Sequence, residues 1–158
     1  MIVYSNSPQE TQKLAIKMAK ETKFGIIALE GELGAGKTTF VQAFVKALGI
    51  KARIKSPTFT LIKKYNISLS KKSEILNSKL ETNSKPKTQN PQFIIHIDCY
   101  RVRDHRDLIP LGIKEIFADQ RNIVLIEWAE RIKKILPKKL TRVHIDHIDQ
   151  NKRKITIF

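Results

Sequence analysis

The apolar positions of this chain fall into two rhythms. Three runs are short and nearly continuous: Ile26-Ile27-Ala28-Leu29, Phe93-Ile94-Ile95-His96-Ile97-Asp98 and Ile123-Val124-Leu125-Ile126-Glu127-Trp128. Runs of this length read as buried strands. Elsewhere the spacing is helical. Phe40, Val41, Phe44, Val45 and Leu48 form one face, with Gly49 placed to end that helix at C′. Ser7-Pro8-Gln9-Glu10 is a capping box with proline at the first helical position. It predicts a helix to about Thr22 that buries Leu14, Ala15 and Met18. Thr58 to Tyr65 reads as a strand entered through Pro57. Leu108 to Phe117 holds one or two short helices around Gly112, and Ala129 to Leu136 a short basic helix stopped by Pro137. Leu140 to Asp146 and Lys154 to Phe158 pair as a terminal hairpin across His147 to Arg153. Strands alternating with helices predict an α/β fold, its sheet largely parallel in the middle and antiparallel in its terminal strands.

One stretch breaks both rhythms. From Asn66 to Gln92 the chain is rich in Ser, Lys and Asn, has no aromatic residue, and contains Pro86 and Pro91. Its apolar groups are too few to offset the entropy of ordering, so it reads as an inserted, largely disordered loop with room for a short helix near Ser73 to Leu80. A basic arm that contacts RNA or a partner is the alternative. The whole length, 158 residues, suits one domain with a real core.

Composition narrows the setting. No run of about 18 apolar residues is present, so no membrane span is expected. The start, Met1-Ile2-Val3-Tyr4-Ser5-Asn6, lacks the basic and apolar segments of a secretory signal. A single cysteine, Cys99, lies in an apolar pattern and reads as a small core residue, which fits a reducing cytoplasm. Lys and Arg total 30 against 15 Asp and Glu, a net charge of +15. That excess favours an anionic partner such as nucleic acid, or reflects lysines that are simply solvated. No Cys/His spacing of the zinc type accompanies it.

The candidate chemistry centres on Gly31-Glu32-Leu33-Gly34-Ala35-Gly36-Lys37-Thr38-Thr39. It fits G-x-x-x-x-G-K-S/T, the phosphate-binding loop, and sits between a predicted strand and a predicted helix as that motif requires. Backbone N–H groups converge on a polyphosphate only where no Cβ intervenes, which explains the glycines. The helix N-terminus adds further N–H groups and its positive dipole end. In this reading Lys37 reaches the β- and γ-phosphates and the Thr38 hydroxyl ligates Mg²⁺. An ordinary glycine-rich turn before a helix is the plainer alternative.

Asp98 and Glu127 each end an apolar strand. In open α/β sheets the chemistry gathers at the carboxyl ends of strands, so both acids should face the loop if their strands flank the loop strand in parallel. There a carboxylate holds the Mg²⁺ shell or orients the attacking water; otherwise it caps a following turn. Ser56-Pro57-Thr58 offers a hydroxyl on a loop after the helix, either a switch-like segment or a plain turn. His96 should share a face with Asp98 and reads as a packed core histidine. Trp128 reads as core packing or as a platform beside a nucleotide. No arginine can be assigned to the γ-phosphate from sequence; Arg101 and Arg131 are candidates only.

Together these residues resemble the TsaE family, also called YjeE, small ATPases of bacterial tRNA threonylcarbamoyladenosine synthesis. The resemblance runs through the Gly31–Thr39 loop, Ser56-Pro57-Thr58-Phe59-Thr60-Leu61, His96-Ile97-Asp98-Cys99-Tyr100-Arg101, Leu111-Gly112-Ile113 and Ile126-Glu127-Trp128. It implies a three-layer α/β sandwich of the phosphate-loop class. It implies ATP and Mg²⁺ as ligands, with Gly31, Leu33, Gly34, Ala35, Gly36, Lys37, Thr38 and Thr39 around the nucleotide and Thr38 and Glu127 on the metal. By the same resemblance Asp98 is the catalytic or water-positioning carboxylate and Thr58 lies on the switch-like segment. The implied partners are TsaD-like and TsaB-like subunits, whose complex the ATPase resets between rounds of tRNA modification. Two features depart from the family pattern: a longer Asn66–Gln92 stretch, and Ala129 where proline is usual.

Two rivals stand beside that expectation. A small-molecule kinase could use the same loop, yet the Asn66–Gln92 stretch lacks the arginine and glycine of a lid. A regulatory module could bind nucleotide and RNA without turnover. A GTPase is disfavoured, since Asn151-Lys152-Arg153-Lys154 lacks the aspartate of N-K-x-D.

Overall fold

The computed structural model describes residues 1–67 and 91–158. Among the described residues seven strands form one sheet: β1 (Ile2–Ser5), β2 (Gly25–Glu30), β3 (Ile62–Asn66), β4 (Phe93–Asp98), β5 (Asn122–Glu127), β6 (Thr141–His147) and β7 (Arg153–Ile157). Their order is β1-β7-β6-β2-β5-β4-β3. β2 pairs in parallel with β5 and β6, and β4 in parallel with β5. β1, β7 and β3 pair antiparallel with their neighbours. The expected parallel centre and antiparallel terminal hairpin are both present.

Alternation along the strands builds two cores. Ile27, Leu29, Ile94, Ile123, Leu125, Val143 and Ile145 meet Ala15, Ala19, Phe40, Val41, Phe44 and Val45 of the long helices α1 (Pro8–Glu21) and α2 (Lys37–Ala47). The alternate residues Ile26, Ala28, Ile95, Ile97, Val124 and Ile126 meet Leu108, Ile113, Ala129 and Ile132 on the other side. Those come from short segments: the 3₁₀ turn His105–Leu111, helix α3 (Ile113–Ala118) and the 3₁₀ turn Ala129–Ile132. Helices on both faces of a sheet that is parallel at its centre make three layers.

Helix α1 starts as its capping box dictates, with the Ser7 side chain accepting from the Glu10 N–H. Glu10 reaches back one residue further than the motif requires, accepting from the Asn6 N–H at 2.7 Å. Thr11, Ala15 and Ala19 are the buried positions, while Leu14 and Met18 are only half-buried. Gly49 has φ 86° just past the end of α2, the left-handed stop its position predicted.

Several expectations need correction. β1 was not legible as a strand. Its Ile2 and Tyr4 are exposed, so it reads as an ordinary terminus until β7 pairs with it. The strand expected from Thr58 begins only at Ile62, because Pro57 to Leu61 make a turn closed by the Leu61 N–H on the Pro57 carbonyl at 2.6 Å. The helix expected over Ala129–Leu136 is one 3₁₀ turn followed by further turns. The inserted loop does not begin at Asn66, which lies in β3; Ile67 is buried and donates to the Gln92 carbonyl at 3.0 Å. The short helix expected near Ser73 to Leu80 lies outside the described residues. Among the described residues no helix is long and apolar enough to cross a membrane.

Candidate functional site

The strand–loop–helix turn between β2 and α2 depends on two glycines. Gly31 has φ 131°, and a Cβ there would run into the backbone carbonyl oxygen of Ile145 on β6. Gly36 has φ 109° and is the N-cap of α2, with no side chain bonded to the first-turn N–H groups. Those groups and the positive end of the helix dipole therefore face outward, as a polyanion requires.

Lys37 is the first residue of α2 and is 4 % exposed. Its ammonium donates to the Gly31 carbonyl at 2.6 Å and the Glu32 carbonyl at 2.8 Å, and lies 3.6 Å from the centre of the Trp128 ring. Burial pushes its pKa down, while the nearby Glu130, Glu127 and Asp98 carboxylates pull it back up. A buried cation held by carbonyls and an indole face is favourably placed to exchange them for phosphate oxygens.

The sheet brings the two predicted acids together. Asp98 and Glu127 are register partners across β4 and β5, and both are buried. Strand β4 does not flank β2, as one form of the expectation required. β5 lies between them, so Asp98 stands one strand further from the loop than Glu127.

Glu127 Oε2 accepts from the Thr38 hydroxyl at 2.6 Å, and Oε1 lies 2.8 Å from His96 Nε2. Asp98 Oδ2 accepts from the Thr58 hydroxyl at 2.7 Å and from Ser56, and Oδ1 accepts from the Tyr100 N–H at 2.9 Å. Ser56 and Thr58 are themselves 2.8 Å apart. Thus Thr38 is bonded to Glu127 and Thr58 to Asp98, and the strand register sets the two acids side by side. Leu33 does not join them by its side chain, which is 73 % exposed; only its backbone belongs to the loop. Among the described residues no three His, Cys, Asp or Glu side chains gather as a metal-binding group. A hydroxyl and a carboxylate in mutual contact, Thr38 and Glu127, are nonetheless the hard oxygen donors a magnesium ion beside a phosphate takes, with phosphate and water completing its shell.

Of the two readings of Trp128, core packing is the one the structure bears out. It packs half-buried against the second core, and at φ 60° its backbone is left-handed, unusual for so bulky a residue. That turn lays the ring over Lys37, with Tyr100 5.0 Å away. Arg131 lies 5.5 Å from the Trp128 ring and Arg101 4.3 Å from the Phe59 ring. Burial pushes the Cys99 thiol up to about 12, so it stays protonated and inert, the core residue expected.

Two residues were missed or undervalued. Arg153 donates from Nε to the Ala35 carbonyl at 3.0 Å, across 118 positions of sequence, and from a terminal nitrogen to the Gly34 carbonyl at 3.5 Å. It lines a cavity of about 240 Å³ together with Gly36, Thr39, Thr11 and Asn151. Nothing in its local sequence signals this. His96 is buried as expected of a core histidine, but it is bonded to a site carboxylate rather than merely packed.

A three-layer α/β sheet with a glycine loop between its central strand and the next helix defines the phosphate-loop fold class. Within that class the assignment is specific. Residues 5–155 match the family model described as threonylcarbamoyl adenosine biosynthesis protein TsaE. The tRNA threonylcarbamoyladenosine biosynthesis protein TsaE of Bacillus subtilis is 34% identical, covering 95% of this chain and 80% of its own. The proteins of that name in Rickettsia felis and Aquifex aeolicus are 36% and 35% identical, covering 96% and 99% of this chain and 76% and 94% of their own. A solved structure titled as that of Bacillus subtilis YdiB superposes with a TM-score of 0.70 at 32% identity, over 99% of this chain and 83% of that one. The chain belongs to the TsaE family, whose members take part in tRNA threonylcarbamoyladenosine biosynthesis.

Proposed function

We propose that this chain binds ATP with Mg²⁺ at Gly31–Thr39 and hydrolyses it, and that hydrolysis resets a complex of TsaB-like and TsaD-like subunits between rounds of tRNA threonylcarbamoylation in the cytoplasm. The observation that carries the reading is the line from the loop to the sheet: Thr38 bonded to Glu127 at 2.6 Å beside the buried ammonium of Lys37. The family's place in tRNA modification supports the partners and the substrate.

On binding, Lys37 leaves the Gly31 and Glu32 carbonyls for the β- and γ-phosphate oxygens, and the loop and α2 N–H groups surround the rest. Magnesium held by Thr38 and Glu127 would neutralise charge developing on the phosphate oxygens. Asp98 orients the attacking water. Ser56 and Thr58 occupy Oδ2, while Oδ1 accepts from the Tyr100 N–H alone and keeps a lone pair for that water. Trp128 roofs Lys37 and keeps bulk water from it. Positioning and charge supply most of the acceleration.

The test is ATP turnover by the chain alone, with TsaB-like and TsaD-like subunits, and with tRNA added. Slow turnover alone that rises with the partners is expected. Failure to bind or hydrolyse ATP in every combination overturns the reading.

A further inference from the structure

Two bonds radiate from Glu127. One reaches Thr38 on the loop side; the other runs back into the sheet to His96. His96 is fully buried on β4, opposite Leu125 in the strand register. Packing alone would be better served there by an aliphatic side chain, since an imidazole brings two polar nitrogens into the core. Only one of them is satisfied. Nε2 lies 2.8 Å from Glu127 Oε1, while Nδ1 is buried with no hydrogen-bond partner.

That asymmetry points to one tautomer. An ionised carboxylate only accepts, so the hydrogen sits on Nε2. Nδ1 is then a bare acceptor, which is less costly to leave unpaired than a buried N–H donor. The imidazole is thereby a one-sided donor aimed at a single carboxylate oxygen.

We infer that His96 is a positioning residue for Glu127: by donating from Nε2 to Oε1 it fixes the carboxylate rotation that presents Oε2 to Thr38 and to the magnesium ion that the pair would hold. This rests on the reading of Thr38 and Glu127 as the magnesium-holding pair. The Thr38 hydroxyl can offer a lone pair to a metal while its hydrogen stays on Oε2, so that bond alone holds one oxygen of Glu127; His96 is the side-chain donor that holds the other, Oε1. Donors behind a metal-binding side chain set its orientation, and their loss commonly lowers metal affinity about 10–100-fold.

The experiment has two arms. In the free chain, ¹⁵N NMR of the imidazoles reports the His96 tautomer. The Nε2–H form is expected, and an Nδ1–H form overturns the inference without any nucleotide present. In the second arm Mg²⁺ is titrated against a fluorescent ATP analogue bound to wild type, His96→Leu and His96→Gln. The Mg²⁺ needed for half-maximal effect should rise about tenfold or more in His96→Leu. It should return toward wild type in His96→Gln, whose amide nitrogen can donate from nearly the same place. Affinity for the analogue in excess EDTA should be equal in all three, because Lys37 and the loop amides are untouched. His96→Leu with wild-type Mg²⁺ dependence overturns the positioning role alone. A wild-type chain whose nucleotide binding ignores Mg²⁺ overturns the proposed function and this inference with it. Loss of EDTA-state affinity in His96→Leu and His96→Gln alike marks a packing role and also overturns it.

Discussion

Two carboxylates end neighbouring parallel strands side by side, yet they are gripped by different kinds of structure. Glu127 is held by Thr38 from helix α2 and His96 from strand β4, both parts of the packed scaffold. Asp98 is held mainly by Ser56 and Thr58, the first just before the Pro57–Leu61 turn and the second within it. That turn carries Leu61 at φ 61° and Phe59 with 84 % of its surface exposed. It is tied back through few backbone bonds, among them the Asp98 N–H on the Leu61 carbonyl at 2.9 Å. Segments with few buried contacts open at low free-energy cost, whereas core elements open only near global unfolding. The difference teaches a division of labour. The acid fixed by the scaffold suits a constant task such as holding a metal. The acid fixed by a turn can be released and recaptured, as a step gated by nucleotide or partner requires.

The largest effect tests what both acids share. Lys37→Ala should weaken ATP-analogue binding at least about 100-fold, or about 2.7 kcal/mol, in a fluorescence titration. Retained tight binding would leave neither acid a polyphosphate to serve. A second pair of variants separates them. Glu127→Gln should raise the Mg²⁺ requirement for binding about tenfold. Asp98→Ala should leave binding intact and slow turnover with the partner subunits by about 10²-fold or more. If both changes move Mg²⁺ dependence and turnover equally, the division of labour is wrong. The smallest effect lies in the turn. Thr58→Val removes one bond to Asp98, worth about 1 kcal/mol. Amide exchange at Leu61 and Tyr100 should speed up about fivefold, while Thr38 exchange is unchanged. Equal acceleration at Thr38 would mean the two grips form one cooperative unit.

Much of this site was visible in the residues themselves. The Gly31–Thr39 loop, the strand ends at Asp98 and Glu127, and the hydroxyl at Thr58 are each marked by local rules: glycine at forced turns, apolar runs ending in acids, hydroxyls before a strand. β1 and Arg153 escaped. β1 alternates too weakly to be told from a frayed end, and Arg153 acts across a turn of the fold rather than along the chain. The face of His96 follows from strand alternation, but its bond to Glu127 does not, because sequence shows which way a strand residue points and not what waits there.

The chain's own order of residues determined the period of each central strand and long helix, the left-handed stop at Gly49, and the glycine loop between β2 and α2. All of these depend on interactions within a few residues, where steric and hydrogen-bonding rules act directly. Tertiary structure alone decided that β5 separates β4 from β2, that Trp128 turns its ring over Lys37, and that Glu127 stands between Thr38 and His96. Those facts depend on strand order and packing. They join residues far apart in the chain, whose meeting no local preference encodes.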